Sequence, residues 1–282
     1  MSMLPKFLHA KATDDQSDIF TISSEDPLQN IPKLLNPLGG IESFVNKGDS
    51  VGFLINSPWV HRGFYTLPDI PLVLMKMCKD AGAKKIICYK PVRDDYWEES
   101  KYYTESKSLI KEITYGAERV KIDIKGGKEM VSADMYKVFM ESDVFINVPV
   151  AKHHNGTLYS GILKNLMGVS SSTTNRHMHS PDGEYTYGKA KYLSTCIADL
   201  NLIRKPDLSI IDADVCALTN GPRGPGNTIS PKRILAGTDP VATDVYAAKL
   251  IGMEPSRMYT FTAAEELGLG IADLDLIKVK NL

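Results

Sequence analysis

Short apolar runs of strand character alternate with helical stretches along this chain, and that alternation narrows its possible folds more than any other feature. Ser50–Ile55, Lys85–Tyr89, Val144–Val148 and Leu208–Ile211 are nearly continuous apolar segments of strand length, the pattern of strands covered on both faces. Leu67–Ala81 reads as a helix with Thr66 as N-cap, Pro68 and Pro71 in its first turn and Gly82 as its stop. A polar helix over Trp97–Tyr115, an alternating strand at Val120–Ile124 and a helix over Ser132–Glu141 continue the alternation. Lys189–Ile203 and Pro240–Ile251 read as helices, and Arg233–Ala236 and Leu276–Val279 as strands. The pattern predicts an α/β fold, a largely parallel sheet with helices on both faces. With 282 residues the chain can form one large unit or two lobes. Lys205-Pro206 is the best hinge, separating a main lobe (1–205) from a smaller one (206–282); a single compact domain is the alternative.

Composition removes several classes. The formal net charge is -1 with both signs interspersed, which argues against a nucleic-acid partner, since such proteins show a basic stripe. No apolar run approaches the roughly 20 residues that span a bilayer. The start, MSMLPKFLHAKATDDQ, lacks the apolar core of a secretory signal. A cytoplasmic protein is therefore expected, although a chain already trimmed of a signal reads the same way. Cys78, Cys88, Cys196 and Cys216 are scattered, with no C-x-x-C spacing. An iron–sulfur cluster held by this chain is thus not expected.

In parallel sheets, ligands sit beyond the carboxyl ends of the strands. Three long loops should gather there: 56–66 (NSPWVHRGFYT), the segment after Val148 (PVAKHHNG), and 212–227 (DADVCALTNGPRGPGN). The richest stretch is Asn147 to Ser180, which holds four of the six histidines. Within it a helix is expected over Leu158–Leu166, capped by Thr157, so that its N-terminus lies beside Lys152, His153 and His154. Free N–H groups beside cations would suit a carboxylate or phosphate. Lys164 and Asn165 sit at the far end of that helix. Arg176, His177 and His179 follow in a segment read as an extended loop. There, side chains at i and i+2 point the same way, so His177 and His179 could ligate one metal.

These residues form the expected site. His153, His154 and Lys164 would carry the chemistry; Lys152, Asn165, Arg176 and Arg62 would bind substrate; His177 and His179 would hold a divalent transition metal, nickel or zinc. Asn56–Phe64 should cover it, with His61 or Arg62 pointing inward. The blander reading leaves the lysines solvated and the histidines capping loops. Asp212, Asp214 and the Asn220–Asn227 loop are further candidates. Asp239 should cap the helix after Gly237, and Asp244, one turn in, should face the loops or a preceding helix end. No G-x-S-x-G elbow exists, so hydrolysis by a serine nucleophile is not expected.

The segments NVPVAKHH, ILKNLMG, the following R-x-x-H and LAGTDPVATDVYAAKLIG resemble the domain of unknown function 362 family, from about Gly48 onward. Some members carry ferredoxin-like iron–sulfur modules, and this chain has none. The spacing of His154, Lys164 and His179, with the early Thr66-Leu67-Pro68, is also similar to that of nickel-dependent lactate racemases. In those enzymes a lysine anchors a pincer nucleotide, a histidine ligates nickel, and histidines act as acid and base. The resemblance thus implies a cofactor-binding role for Lys164 and an isomerase- or racemase-like reaction on a small anionic ligand. The alternative is a non-catalytic redox accessory that docks a ferredoxin-like partner.

Overall fold

The computed structural model describes residues 17–179 and 187–282. Its apolar runs become strands β1 (Ser17–Ser23), β2 (Ser50–Ile55), β3 (Lys85–Cys88) and β4 (Thr114–Tyr115). An antiparallel pair follows, β5 (Arg119–Asp123) with β6 (Ser132–Tyr136), then β7 (Val144–Val148). A small hairpin joins β8 (Lys152–His154) to β9 (Leu158–Ser160). After β10 (Leu208–Ala213), the short strands β11 (Cys216–Ala217) and β12 (Thr228–Ile229) pair with each other, and β13 (Arg233–Gly237) and β14 (Ile277–Asn281) complete the set.

Eight of these form one sheet in the order β14-β1-β13-β10-β7-β2-β3-β4. The run from β10 to β4 is parallel throughout. Only β13 runs against its neighbours β10 and β1, while β14 is parallel to β1. The largely parallel α/β sheet expected from the alternation is therefore what forms. β10, directly after Lys205-Pro206, pairs with β7, so residues on both sides of that dipeptide share the sheet.

Strand periodicity divides the core in two. Val51, Phe53, Ile55, Val144, Ile146 and Val148 point to the face covered by α1 (Pro27–Leu35) and α2 (Asp69–Asp80). Leu54, Phe145, Ile211 and Ala213 point to the other face. That face is covered by α5 (Ile162–Asn165), α7 (Tyr187–Asn201) and α8 (Pro240–Leu250). Gly52 is required here by close approach: a Cβ on it would lie 2.1 Å from the buried Tyr89 hydroxyl.

Several expected elements differ. Ser132–Glu141 is strand β6 followed by the one-turn helix α4 (Lys137–Glu141), because Ser132–Tyr136 pairs with Arg119–Asp123. Trp97–Tyr115 shortens to the helix α3 (Tyr103–Glu112), and the strand and helix at 17–35 had no expectation. Thr66 does not cap α2; its hydroxyl donates instead to the Val148 carbonyl (2.8 Å), tying the 56–66 loop to β7. The helix expected over Leu158–Leu166 begins only at Ile162, because 158–160 pairs back onto 152–154 across the Asn155-Gly156-Thr157 turn.

Candidate active site

The sheet reverses its direction of growth between β2 and β7: the chain builds outward from β2 through β3 and β4, then returns to the other side of β2. Such a reversal opens a crevice at the carboxyl ends of the strands. A polar network fills its floor. Asn165, at the end of α5, donates to the Leu54 carbonyl (3.1 Å) and to Asn147 Oδ1 (2.8 Å). Asn147 donates to the Ile162 carbonyl (3.0 Å), and Asn56 donates to Asn165 Oδ1 (3.3 Å). Lys152 then donates to Asn56 Oδ1 (3.0 Å) and to the Phe64 carbonyl (2.6 Å). Asn147, Asn165 and Lys152 are all buried. The side chains of Asn165 and Lys152, expected to bind substrate, are thus engaged with the protein itself.

Asp244 explains the local shape of the site. Its Oδ1 accepts from the Ile162 N–H (2.7 Å) and the Tyr159 hydroxyl (3.2 Å), and its Oδ2 from the Leu163 N–H (2.9 Å). A Cβ on Gly161 would lie 2.0 Å from Asp244 Oδ1, so glycine is needed for the carboxylate to reach. Burial pushes Asp244 up to about 7 despite these donors. The anion expected at a helix N-terminus in this segment is therefore corrected. The helix is one turn long, and an internal carboxylate takes its first N–H groups.

Lys164 Nζ lies 3.3 Å from the Met167 thioether, a weak acceptor. Burial lowers its ammonium to about 8. Lys90, just beyond β3, is lowered by burial to about 8 as well. A Cβ on Gly168 would lie 3.0 Å from Lys90 Nζ, which places that ammonium over the turn following α5. Lys152 is pushed well below the usual lysine range by burial and by the charges of Lys164 and Lys90. No carboxylate among the described residues pairs with any of the three.

Two histidines complete the cluster. His154 is buried, and its Nδ1 accepts from the Gly156 N–H (2.9 Å). In the neutral ring the proton is then on Nε2. His179 closes α6 (Ser172–His179), and its Nδ1 lies 2.9 Å from the Asn175 carbonyl. A carbonyl can only accept, so His179 carries its proton on Nδ1 and keeps the Nε2 lone pair free. The two ring centroids are 6.2 Å apart. Burial, followed by the charge of Lys164, lowers His154 well below the usual range; His179, exposed at the end of α6, is lowered by partial desolvation and then by the charge of Lys164. One neutral donor and one neutral base thus stand beside the lysines.

The remaining candidates lie elsewhere. His153 Nδ1 accepts from the Gly221 N–H (3.1 Å), and a Cβ on Gly221 would overlap the His153 carbonyl at 1.7 Å. The 220–227 loop is thereby fitted against the β8–β9 hairpin, with Arg223 5.3 Å from the Trp59 ring. Arg62 donates to Asp214 (2.5 Å) and lies 3.9 Å from Asp212, whose Oδ2 accepts from the Leu67 N–H. That network anchors the 56–66 loop to the end of β10. His61 is exposed at the loop surface, and Arg176 is exposed on α6.

The expected metal pair is corrected too. His177 and His179 lie in a helix, not an extended loop, and at about 100° per residue they point to nearly opposite sides. His177 faces away, with its Nε2 3.1 Å from the Tyr192 hydroxyl. Among the described residues no three His, Cys, Asp or Glu side chains are grouped to hold a metal ion. Three nearby lysines would repel a dication. They suit an anion.

Sequence reasoning missed Lys90, Asn56 and Asn147. Lys90 follows a predicted strand at the same sheet edge, and Asn147 interrupts an otherwise apolar strand. Either feature could have drawn attention.

A family model described as "Domain of unknown function (DUF362)" matches residues 55–249. The chain belongs to the DUF362 family. Lys90, Lys152, His154, Lys164 and His179 all fall within that match. A curated relative, "Thylakoid-associated protein sll1697" of Synechocystis sp., is 24% identical over 251 residues, covering 86% of this chain and 75% of its own length. The lactate racemase apoprotein of Thermoanaerobacterium thermosaccharolyticum aligns with a TM-score of 0.44 at 15% identity over 70% of this chain. The chain spans 50% of that structure's length. No helix among the described residues is long and apolar enough to cross a membrane.

Proposed function

We propose that this DUF362 protein is an enzyme that binds a small organic anion at the β2–β7 crevice and moves a proton on it. The observation that carries the reading is the grouping of Lys90, Lys152 and Lys164 with neutral His154 and His179 where, among the described residues, no carboxylate balances the charge. Uncompensated ammonium groups are costly to bury, and a bound anion is the natural partner that offsets the cost. Lys90 and Lys164 would hold carboxylate or phosphate oxygens. Lys152 would fix the crevice floor from below while adding its share of positive potential.

The two imidazoles would supply the proton chemistry. His179 Nε2 has the free lone pair of a general base, and His154 Nε2–H has the proton of a general acid. A base and an acid on separate side chains suit isomerisation or racemisation at a carbon beside a carbonyl or carboxylate group. The test begins with binding, by calorimetry with a panel of small mono- and dicarboxylates and phosphates. Solvent deuterium incorporation into each binder is then followed by NMR. The expected result is a bound carboxylate that exchanges a proton on a carbon beside its carbonyl or carboxylate group with wild type and not with His179→Ala. A panel in which no anion binds more tightly than to Lys90→Met/Lys164→Met protein would overturn the reading.

A further inference from the structure

Lys164 differs from the other lysines of the cluster. Lys152 already donates two hydrogen bonds into the protein, whereas among the described residues the hydrogen-bond partner of Lys164 Nζ is the Met167 thioether, a weak acceptor. Its charge is felt by His154, His179 and Lys152, so it is the hub of the site. Half-buried, it remains reachable from solvent. An ammonium held by a thioether, a weak acceptor, beside a neutral imidazole with an unprotonated nitrogen, is set up to lose its proton and act as an amine.

We infer that Lys164 is a nucleophile that condenses with the carbonyl carbon of a 2-oxo carboxylate to form an imine. The inference rests on the anion-site reading and names its substrate class. Lys90 would hold the carboxylate while the ketone carbon meets Lys164 Nζ. Nζ passes a proton to His179 Nε2, and its lone pair then forms the C–N bond as the carbonyl π pair moves to oxygen. That oxygen takes a proton from His154 Nε2–H, and His154 is reprotonated from the substituted nitrogen. The resulting hydroxyl then takes the proton held by His179 and leaves as water, the nitrogen lone pair closing the C=N bond. Two of the three ammonium protons thus depart in the water, and the iminium keeps the third and the charge. No oxidant or reductant is needed. The iminium then draws electrons from the adjacent carbon, so His179 can remove a proton there more easily than from the free ketone.

The test uses the full chain with pyruvate as probe and sodium cyanoborohydride to reduce any imine, followed by peptide mapping. At pH 7.5, an amine lowered to about 8 has on the order of 100-fold more free base than an ordinary lysine. The adduct on Lys164 should therefore exceed that on exposed Lys76 or Lys101 by at least about 10-fold, and Lys164→Arg should abolish it. Adducts spread over surface lysines, or centred on Lys90, would refute the assignment. So would an unmodified Lys164 in protein that still binds oxalate, with the anion site then standing alone. Loss of oxalate binding as well would bring down both readings.

Discussion

Raising the pH from 7 to 9 should weaken the binding of a dianion about 100-fold, and the size follows from two lysines. Lys90 and Lys164 are each lowered by burial to about 8. A group of that pKa is about 91% protonated at pH 7 and about 9% at pH 9, so its ammonium population falls about 10-fold. If an anion must meet both ammonium groups, the two factors multiply. Exposed lysines near 10.4 would lose almost nothing over the same interval. Oxalate is the suitable probe because its own charge is constant across this range. Affinity is measured by calorimetry at fixed ionic strength, since screening alone would otherwise shift it. Replacing Lys164 with arginine, which stays charged above pH 12, should reduce the fall to about 10-fold. Affinity unchanged between pH 7 and 9 would mean that the two lysines are not the anion's partners.

Three further outcomes follow from the same contacts. His179→Ala should abolish proton exchange on a bound carboxylate, whereas His177→Ala, which faces away and loses a Tyr192 contact, should retain it in the deuterium assay. Asp244→Ala would leave the buried Ile162 and Leu163 N–H groups without acceptors, at about 1–3 kcal/mol each, measurable by denaturant unfolding. Gly168→Ala puts a methyl 3.0 Å from Lys90 Nζ and 3.3 Å from Leu54 Cδ1; it should weaken oxalate binding several-fold by displacing that flexible side chain, while urea unfolding shows a loss below about 1.5 kcal/mol.

The sheet was legible and much of the site was not, for a common physical reason. Ser50–Ile55 and Val144–Val148 occur at the boundaries their apolar runs imply, because burial on both faces leaves its mark in consecutive residues. The β8–β9 hairpin and the short α5 left no such mark. What starts that helix is Asp244, more than eighty positions away, and what permits it is the absence of a side chain at Gly161. Ser172–His179 carries little apolar periodicity, so its histidines read as a loop and the metal pair was built on the wrong geometry. His154, Lys164 and His179 stood out as residues, but their roles depend on which nitrogen each neighbour occupies. Lys90 is a single lysine after a strand, and only folding brings it to Gly168.

A cluster of lysines with no carboxylate partner among the described residues ought to cost stability, and that cost separates a binding site from an accident of packing. In the unfolded chain Lys164 titrates near 10.5, and in the folded one near 8. Between these values the unfolded state binds more protons, so stability rises with pH across that window. The penalty is fully in place below pH 8. Taken whole, a lowering of that size corresponds to about 3 kcal/mol. Because the ammonium is partly reached by water, about 1–2 kcal/mol is the better expectation. Lys164→Met keeps the length of the side chain and its apolar contacts while deleting the charge. The variant should therefore melt roughly 2–6 °C higher than wild type at pH 7, and the gain should vanish by pH 10.5. Oxalate should reverse the ranking: it should stabilise wild type strongly at pH 7 and the variant hardly at all. A Lys164→Met protein that melts lower at pH 7 and responds equally to oxalate would make this lysine structural. A more stable variant that has lost its ligand would show that the charge is kept for what it binds.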